Sequence, residues 1–126
     1  MTLRRVIDGI RDSGSCCFDD VTVVELVDRV ERMAVNEIFL THEAPPAGAA
    51  EYSGYDETTD ADRELLIEAP HDGVYLSYVR MQADLAAGDV SRYNNSAAVF
   101  YDAYCDFACR YNREHAPVAR VTEVIF

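Results

Sequence analysis

Residues 89–114, DVSRYNNSAAVFYDAYCDFACRYNRE, decide the fold. Their aromatic and small apolar side chains recur at alternating gaps of four and three residues, at Tyr93, Ala97, Phe100, Tyr104, Phe107 and Tyr111. This spacing keeps all six on one face of an α-helix, whereas a strand would alternate them between two faces. We therefore predict a long helix whose aromatic seam, defined by these six residues, packs against other helices.

A second helix is predicted just before the long one. Pro70 is expected to open it, with Asp72 in its first turn, and Gly88 is expected to end it as a C-terminal cap. Asp89 then caps the long helix, so the linker between the two helices is very short. Helices joined so closely lie side by side, and residues 70–115 are therefore predicted to form an antiparallel helical hairpin.

Residues 1–40 are predicted to add two N-terminal helices. Thr2 is the expected N-cap of the first, and the pair Asp19 and Asp20 starts the second, which runs to about Phe39. Both carry apolar residues at helical intervals: Leu3, Val6, Ile7 and Ile10 in the first, and Val23, Val27, Val30, Ala34 and Ile38 in the second. The predicted fold class is mainly α, a small helical bundle built on the hairpin.

Residues 41–69 lose the helical period and are predicted to form a long loop. Proline and glycine punctuate it, and it carries a dense group of carboxylates that includes Asp56, Glu57, Asp60 and Asp62. Its two β-prone parts lie near Tyr52 and at residues 65–67, and a short β-hairpin between them is one alternative.

Residues 116–126 are predicted to leave the bundle as an extended C-terminal arm. Pro117 ends the helix, and the residues after it favour extended backbone and are largely apolar: Val118, Val121, Val124, Ile125 and Phe126. Such an arm can pair with a neighbouring subunit, and an internal strand beside residues 65–67 is the competing interpretation. All these parts form a single domain, because 126 residues is an ordinary domain size.

The charge of the chain limits its partners. A formal net charge of −12 argues against binding the nucleic-acid backbone, since that mode requires clustered Lys and Arg. No apolar run approaches the ~18 residues of a membrane span, and no leader pattern opens the chain. We therefore expect no membrane partner and an intracellular protein with reduced thiols.

The residues capable of metal or acid–base chemistry form no familiar motif. Cys105 and Cys109 lie four apart on the long helix, and Cys16 and Cys17 could approach them to form a zinc site, but the spacing does not match known zinc motifs. The acidic loop lacks the alternating ligand pattern of a calcium loop. We predict structural cysteines and no metal.

Catalytic motifs are also missing from the sequence. The three histidines, His42, His71 and His115, stand far apart and belong to no nucleophile elbow, zinc-protease helix or phosphate-binding loop. We predict that the chain is not an enzyme and has no cofactor. Asn94, a poor helix former beside the seam, has two interpretations: an ordinary exposed residue, or a hydrogen-bonding group at an interface.

A set of short segments spans most of the chain. It comprises VNEIF at 35–39, ELLI at 64–67, APHD at 69–72, GD at 88–89, RYNNS at 92–96, YNR at 111–113 and HAP at 115–117. This pattern resembles the head–tail connector (adaptor) proteins of tailed bacteriophages and prophages. It consists of helix-packing residues and contains no catalytic signature.

The resemblance implies a structural subunit of the phage neck. Such a subunit forms a homo-oligomeric, dodecameric ring below the portal protein, extends the DNA channel and presents a platform to the next neck or tail protein. It implies a location in the virion, and in the bacterial cytoplasm during assembly. The carboxylates of the acidic loop are then candidates for the channel surface, where negative walls let DNA pass without specific binding.

A different class of function also fits a small acidic helical protein. It could be a DNA mimic that occupies a basic groove, or another helical interaction protein. A mimic requires carboxylates in rows along helix faces, whereas the densest group here lies in a single loop. We therefore expect the connector function over the mimic.

Overall fold

The computed structural model describes residues 1–12, 18–42, 49, 52–55 and 62–115. These residues form the four helices α1 (Leu3–Asp12), α2 (Asp20–Glu37), α3 (Val74–Ala86) and α4 (Val90–Glu114), with a 3₁₀ turn at Phe39–Thr41. The prediction of a mainly α bundle is confirmed.

The helix ends follow from capping chemistry. The Asp19 side chain accepts a hydrogen bond from the Thr22 amide at 2.9 Å, and the Asp89 side chain accepts one from the Arg92 amide at 3.0 Å. Each carboxylate satisfies an amide that has no partner within its helix. Gly88, with φ of +73°, supplies the left-handed residue that ends α3.

The start of α3 differs from the prediction. Residues before Val74 form turns, in which the His71 amide donates to the Glu68 carbonyl at 3.0 Å and the Val74 amide donates to the His71 carbonyl at 3.3 Å. The Ala69–Pro70 peptide bond is cis. The two turn hydrogen bonds and the start of α3 at Val74 place Pro70 before the helix, so it does not open it.

The core is centred on α3, which packs against α1, α2 and α4. Phe39, just after α2, contacts Phe107 edge to face, with ring centroids 5.8 Å apart. Tyr78 of α3 makes the same kind of contact with Phe100, at 5.0 Å. Helix α1 adds a fully apolar buried face consisting of Leu3, Val6, Ile7 and Ile10. The hairpin thus packs on the N-terminal helices through α3, while the aromatic side chains of α4 contact α3 and the 3₁₀ turn.

The segment at residues 62–67 packs in a different way from the β-hairpin alternative. The Leu65 amide donates to the Met1 carbonyl at 3.0 Å, and Thr2 and Glu64 form an isolated antiparallel bridge. Within the part of the chain that the structure describes, no longer strand forms and Tyr52 does not pair with this segment. The backbone groups of this segment are therefore bonded to residues 1–3 at the N-terminus.

Several predicted features lie outside the described residues. They are Cys16, Cys17, the loop carboxylates Asp56, Glu57 and Asp60, and the arm residues Val118, Val121, Val124, Ile125 and Phe126. Asp62 is described; it is exposed and pairs with Arg4 at 2.9 Å. Among the helices described, none combines the length and apolar character that a membrane crossing needs.

Candidate interface on the long helix

The aromatic seam of α4 is largely buried in the subunit's own core. Phe100, Tyr104, Phe107 and Tyr111 are buried, whereas Tyr93 and Ala97 are half-buried. The Tyr104 hydroxyl also donates to a carboxylate oxygen of Glu37 at 3.0 Å, which ties α4 to the end of α2. Burial raises the pKa of Tyr104, and its bond to Glu37 adds to the effect. The seam therefore holds the subunit together.

A second stripe runs beside the seam with the same spacing, shifted by one residue. It consists of Asn94, Ala98, Tyr101, Cys105, Ala108 and Asn112, which we call the uncharged stripe. One residue along a helix corresponds to a rotation of about 100°, so this stripe lies on the adjacent flank of α4. Ala108 is half-buried and the other five are exposed.

Charge is excluded from this stripe. Every charged side chain of α4 lies elsewhere on the helix: Arg92, Asp102, Asp106, Arg110, Arg113 and Glu114. In a chain of net charge −12, a flank without charge along most of a 25-residue helix is a distinct surface. Small side chains on such a flank permit close approach of another backbone.

Three large apolar residues of α4 stay exposed, Val90, Val99 and Tyr101, and the last two lie on opposite flanks. Tyr101 is 55% exposed and belongs to the uncharged stripe, and Val99 is 59% exposed on the flank that also carries charges. Residues two apart are rotated by about 200°, so these two cannot contribute to one surface. Asn94, the residue with two interpretations, is exposed at one end of the uncharged stripe.

A buried carboxylate in α2 was not predicted from the sequence. The side chain of Glu31 is fully buried. It accepts hydrogen bonds from the Tyr55 hydroxyl at 2.7 Å, from the Leu66 amide at 2.9 Å and from the Tyr75 hydroxyl. The Tyr75 hydroxyl in turn accepts a bond from the Ile67 amide at 2.9 Å. Glu31 thus joins α2, α3 and the segment after the acidic loop.

Burial and hydrogen bonding shift the pKa of Glu31 in opposite directions. Burial raises the pKa of Glu31 because it disfavours the ionised form, while the three donors act in the opposite direction; the net shift is upward. The pKa of Tyr75 is raised by burial and by the adjacent carboxylate. Grouping Glu31 with the solvated residues of α2 would be wrong: it follows Val27 by four and precedes Ala34 by three, which places it on the apolar face.

A smaller version of this arrangement lies one turn earlier on α2. The Tyr52 hydroxyl donates to Asp28, which is also bonded to Arg32 at 2.8 Å. Burial and the bond to Asp28 raise the pKa of Tyr52. Tyr52 and Tyr55, the loop residues considered for a strand, therefore hold the described part of the loop onto α2 through their hydroxyls.

The histidines and cysteines have separate environments. His42 is buried, with Nδ1 2.6 Å from the Ile38 carbonyl oxygen and Nε2 2.5 Å from the Asn112 side-chain oxygen. Cys105 and Cys109 are exposed free thiols. No group of three or more potential metal ligands occurs within the described parts of the chain. His42 therefore serves to join the 3₁₀ turn to the end of α4.

The C-terminal half of α4 also borders a cleft of about 400 Å³. Its walls come from the 3₁₀ turn, the turns at residues 66–71 and one face of α4, and they include Phe39, His71 and Tyr111. His71 and His115 both line this cleft, although the sequence separates them by more than forty residues.

Comparison with known proteins identifies no relative: no family model, no curated protein and no solved structure matches this chain.

Proposed function

We propose that the chain is a structural protein of the phage neck, a head–tail connector subunit that assembles with copies of itself into a ring below the portal and extends the DNA channel. The ring is proposed to be dodecameric, as the resemblance of the sequence implies. Its other partners are the portal protein and the next neck or tail protein. The role is one of assembly and does not require catalysis.

The observation that carries this proposal is the uncharged stripe on α4. Copies of a chain with net charge −12 repel one another, and that repulsion is smallest where the contacting surfaces carry no charge. The stripe is exposed, long and free of charge, whereas the remaining surface of α4 has both signs. It is therefore the surface of α4 best suited to contact a neighbouring copy.

Ring closure adds a second requirement. A ring is built from heterologous contacts, so each subunit needs two different surfaces that complement each other. The seam is buried within the subunit and cannot be one of them, so we propose that the uncharged stripe is one surface and that its complement lies elsewhere on the subunit. The acidic balance also suits a channel, because negative walls offer DNA no Lys or Arg contacts to bind.

The test uses a charge placed within the stripe. In native mass spectrometry the wild-type chain should form a ring, and Tyr101→Glu should abolish it, because a carboxylate would be desolvated at the contact. Val99→Glu is the matched control: it changes the same charge at a similarly exposed position on the opposite flank and should retain the ring.

Two results would contradict the proposal. A wild-type chain that stays monomeric at all accessible concentrations, also when purified portal is added, would exclude a ring-forming connector. Equal retention of the ring by both variants would exclude the uncharged stripe as the contact. The gene neighbourhood gives an independent check: capsid and portal genes upstream and tail genes downstream are expected.

A further inference from the structure

A single carboxylate oxygen of α2 is bonded to two separate parts of the acidic loop. Glu31 Oε2 accepts a hydrogen bond from the Tyr55 hydroxyl at 2.7 Å and another from the Leu66 amide at 2.9 Å. In the sequence, Tyr55 comes immediately before the dense group of loop carboxylates and Leu66 comes after it. Glu31 therefore joins the chain on the two sides of that group.

The other carboxylate oxygen of Glu31 faces α3. Oε1 accepts a bond from the Tyr75 hydroxyl, which itself accepts one from the Ile67 amide at 2.9 Å. Glu31 and Tyr75 are fully buried, whereas Tyr55 is half-buried. While Glu31 is ionised, two hydroxyl protons and two amide protons therefore each have an acceptor. The ionised carboxylate satisfies this whole set of donors.

A proton added to Glu31 removes one of these bonds. A protonated carboxyl group is itself a donor, and an amide N–H cannot accept from it. Among the groups bonded to Glu31, only a tyrosine oxygen can accept that proton, and this tyrosine must then turn its own proton away. Tyr75 is fully buried, so its proton has no solvent to turn to, whereas the half-buried Tyr55 can donate to water. Protonation is therefore expected to displace the Tyr55 hydroxyl.

Asp28 is the charged neighbour of Glu31 on its own helix. It lies one turn earlier on α2, and its negative charge disfavours the ionised form of Glu31. Asp28 is bonded to Arg32 at 2.8 Å and accepts a bond from the Tyr52 hydroxyl. It thus has a cation and a tyrosine of its own, separate from the donors of Glu31.

The remaining groups that face Glu31 come from the loop and α3. Arg63 lies over the Tyr55 ring, 5.6 Å from its centroid, and α3 contributes the Tyr75 hydroxyl. Burial has a larger effect than the three donors, so the pKa of Glu31 is raised above its ordinary value. Glu31 is therefore expected to take up its proton at a higher pH than an exposed glutamate, although one hydrogen bond is lost.

We propose that Glu31 is a pH-sensitive latch on the acidic loop: when ionised it holds the chain on both sides of the loop carboxylates, and when protonated it releases the Tyr55 hydroxyl. The Leu66 amide has a carboxyl oxygen to donate to in either state. Tyr52 stays bonded to Asp28, so the release is confined to one hydroxyl. All these groups belong to one subunit, and the latch does not depend on the proposed ring.

The direct test is a pH titration of the full, isotopically labelled chain followed by NMR. The Glu31 Cδ signal reports ionisation and should titrate with a midpoint above 4.5. The Tyr55 Cζ signal reports the state of its hydroxyl and should change with the same midpoint. The Leu66 amide should stay protected from hydrogen exchange on both sides of that midpoint.

The variant Tyr55→Phe tests the release by linkage. A bond that is present only in the ionised state lowers the midpoint of Glu31, so its removal should raise that midpoint by about one pH unit. A bond kept equally in both states would leave the midpoint unchanged. Tyr52→Phe is the matched control: it removes the hydroxyl that donates to Asp28 and should shift the Glu31 midpoint by less than about 0.3 pH unit.

Three results would overturn the latch. They are a Glu31 midpoint at or below 4.5, a wild-type Tyr55 Cζ signal that does not follow Glu31, and the same Glu31 midpoint in Tyr55→Phe and Tyr52→Phe. If Tyr55→Phe fails to fold, the first two measurements on the wild-type chain still decide. None of these measurements requires a ring, so failure of the latch is distinguishable from failure of the proposed function.

Discussion

Two stripes on α4 have the same residue spacing, but one is mostly buried and the other mostly exposed. The aromatic seam and the uncharged stripe both follow the alternation of four and three residues, and they are offset by a single position. The seam includes four buried aromatic side chains, whereas five of the six residues in the uncharged stripe are exposed. The difference lies in size: the seam carries large rings that fill a core, and the stripe carries mainly small side chains that fill little volume.

This comparison shows what helical periodicity can and cannot establish. Periodicity identifies residues that share a face, but the chain's own core needs volume and apolar area, which the Phe and Tyr residues of the seam supply. A face of small, uncharged residues remains available to another molecule. Phe107→Ala and Tyr101→Ala test whether the two stripes differ in this way. Glu31→Gln, which lies in neither stripe, is expected to fall between them in its effect on stability.

The largest effect is expected in the seam. Phe107→Ala should lower the free energy of unfolding by about 3–5 kcal/mol, because it removes a buried ring and leaves a cavity beside Phe39. Chemical denaturation monitored by circular dichroism measures this change. A loss below about 1 kcal/mol would mean that the seam does not form the core and that the comparison fails.

The next effect concerns Glu31, the buried carboxylate that joins α2 to α3 and to the segment after the acidic loop. Glu31→Gln should cost about 1–3 kcal/mol, since an amide cannot accept all three hydrogen bonds that Glu31 receives. Denaturation across a pH series measures it, with Glu25→Gln, an exposed position of the same helix, as the control.

The cost of Glu31→Gln should also depend on pH. The folded-state pKa of Glu31 lies above its ordinary value of 4.5, so the protonated acid is favoured by folding. The stabilisation from this shift is fully present below pH 4.5 and is lost as the pH rises through the folded-state pKa. The difference in stability between wild type and Glu31→Gln should therefore be largest in acid and shrink towards neutral pH. A difference that grows with pH would contradict this assignment.

The smallest effect is expected in the uncharged stripe. Tyr101→Ala should change the free energy of unfolding of the monomeric chain by no more than about 0.5 kcal/mol, because the side chain is 55% exposed. Denaturation at concentrations that keep the chain monomeric measures this. A loss comparable to that of Phe107→Ala would show that both stripes serve the subunit's own core and that no free interface exists on this flank.

Much of the fold could be predicted from the sequence because its signals are local. Asp19, Asp89 and Gly88 mark helix ends through bonds and backbone conformations that involve only near neighbours. Pro70 was placed incorrectly because a proline fits both a first helical turn and a reverse turn, and the choice depends on the hydrogen bonds around His71.

The candidate site was less accessible to sequence reasoning. Asn94 could be singled out from the sequence as a poor helix former beside the seam, but which flank of α4 the rest of the chain covers depends on tertiary packing. The cleft joins His71 to Tyr111 and His115, which are far apart in the chain, so no local signal reports it. The same holds for Glu31 and its donors from the loop and α3, although its place on the apolar face of α2 was readable.

By itself, the sequence of this protein determined the helices, their caps and the aromatic face of α4, because side-chain periodicity and capping act within a few residues. Only the tertiary structure decided that Leu65 bonds to Met1 instead of pairing with the Tyr52 region, that Glu31 is enclosed by tyrosines, and that one uncharged flank of α4 stays exposed. These outcomes depend on which residues, distant in the sequence, pack against a given surface and satisfy its hydrogen bonds. That is a property of the folded structure and not of any local stretch of sequence.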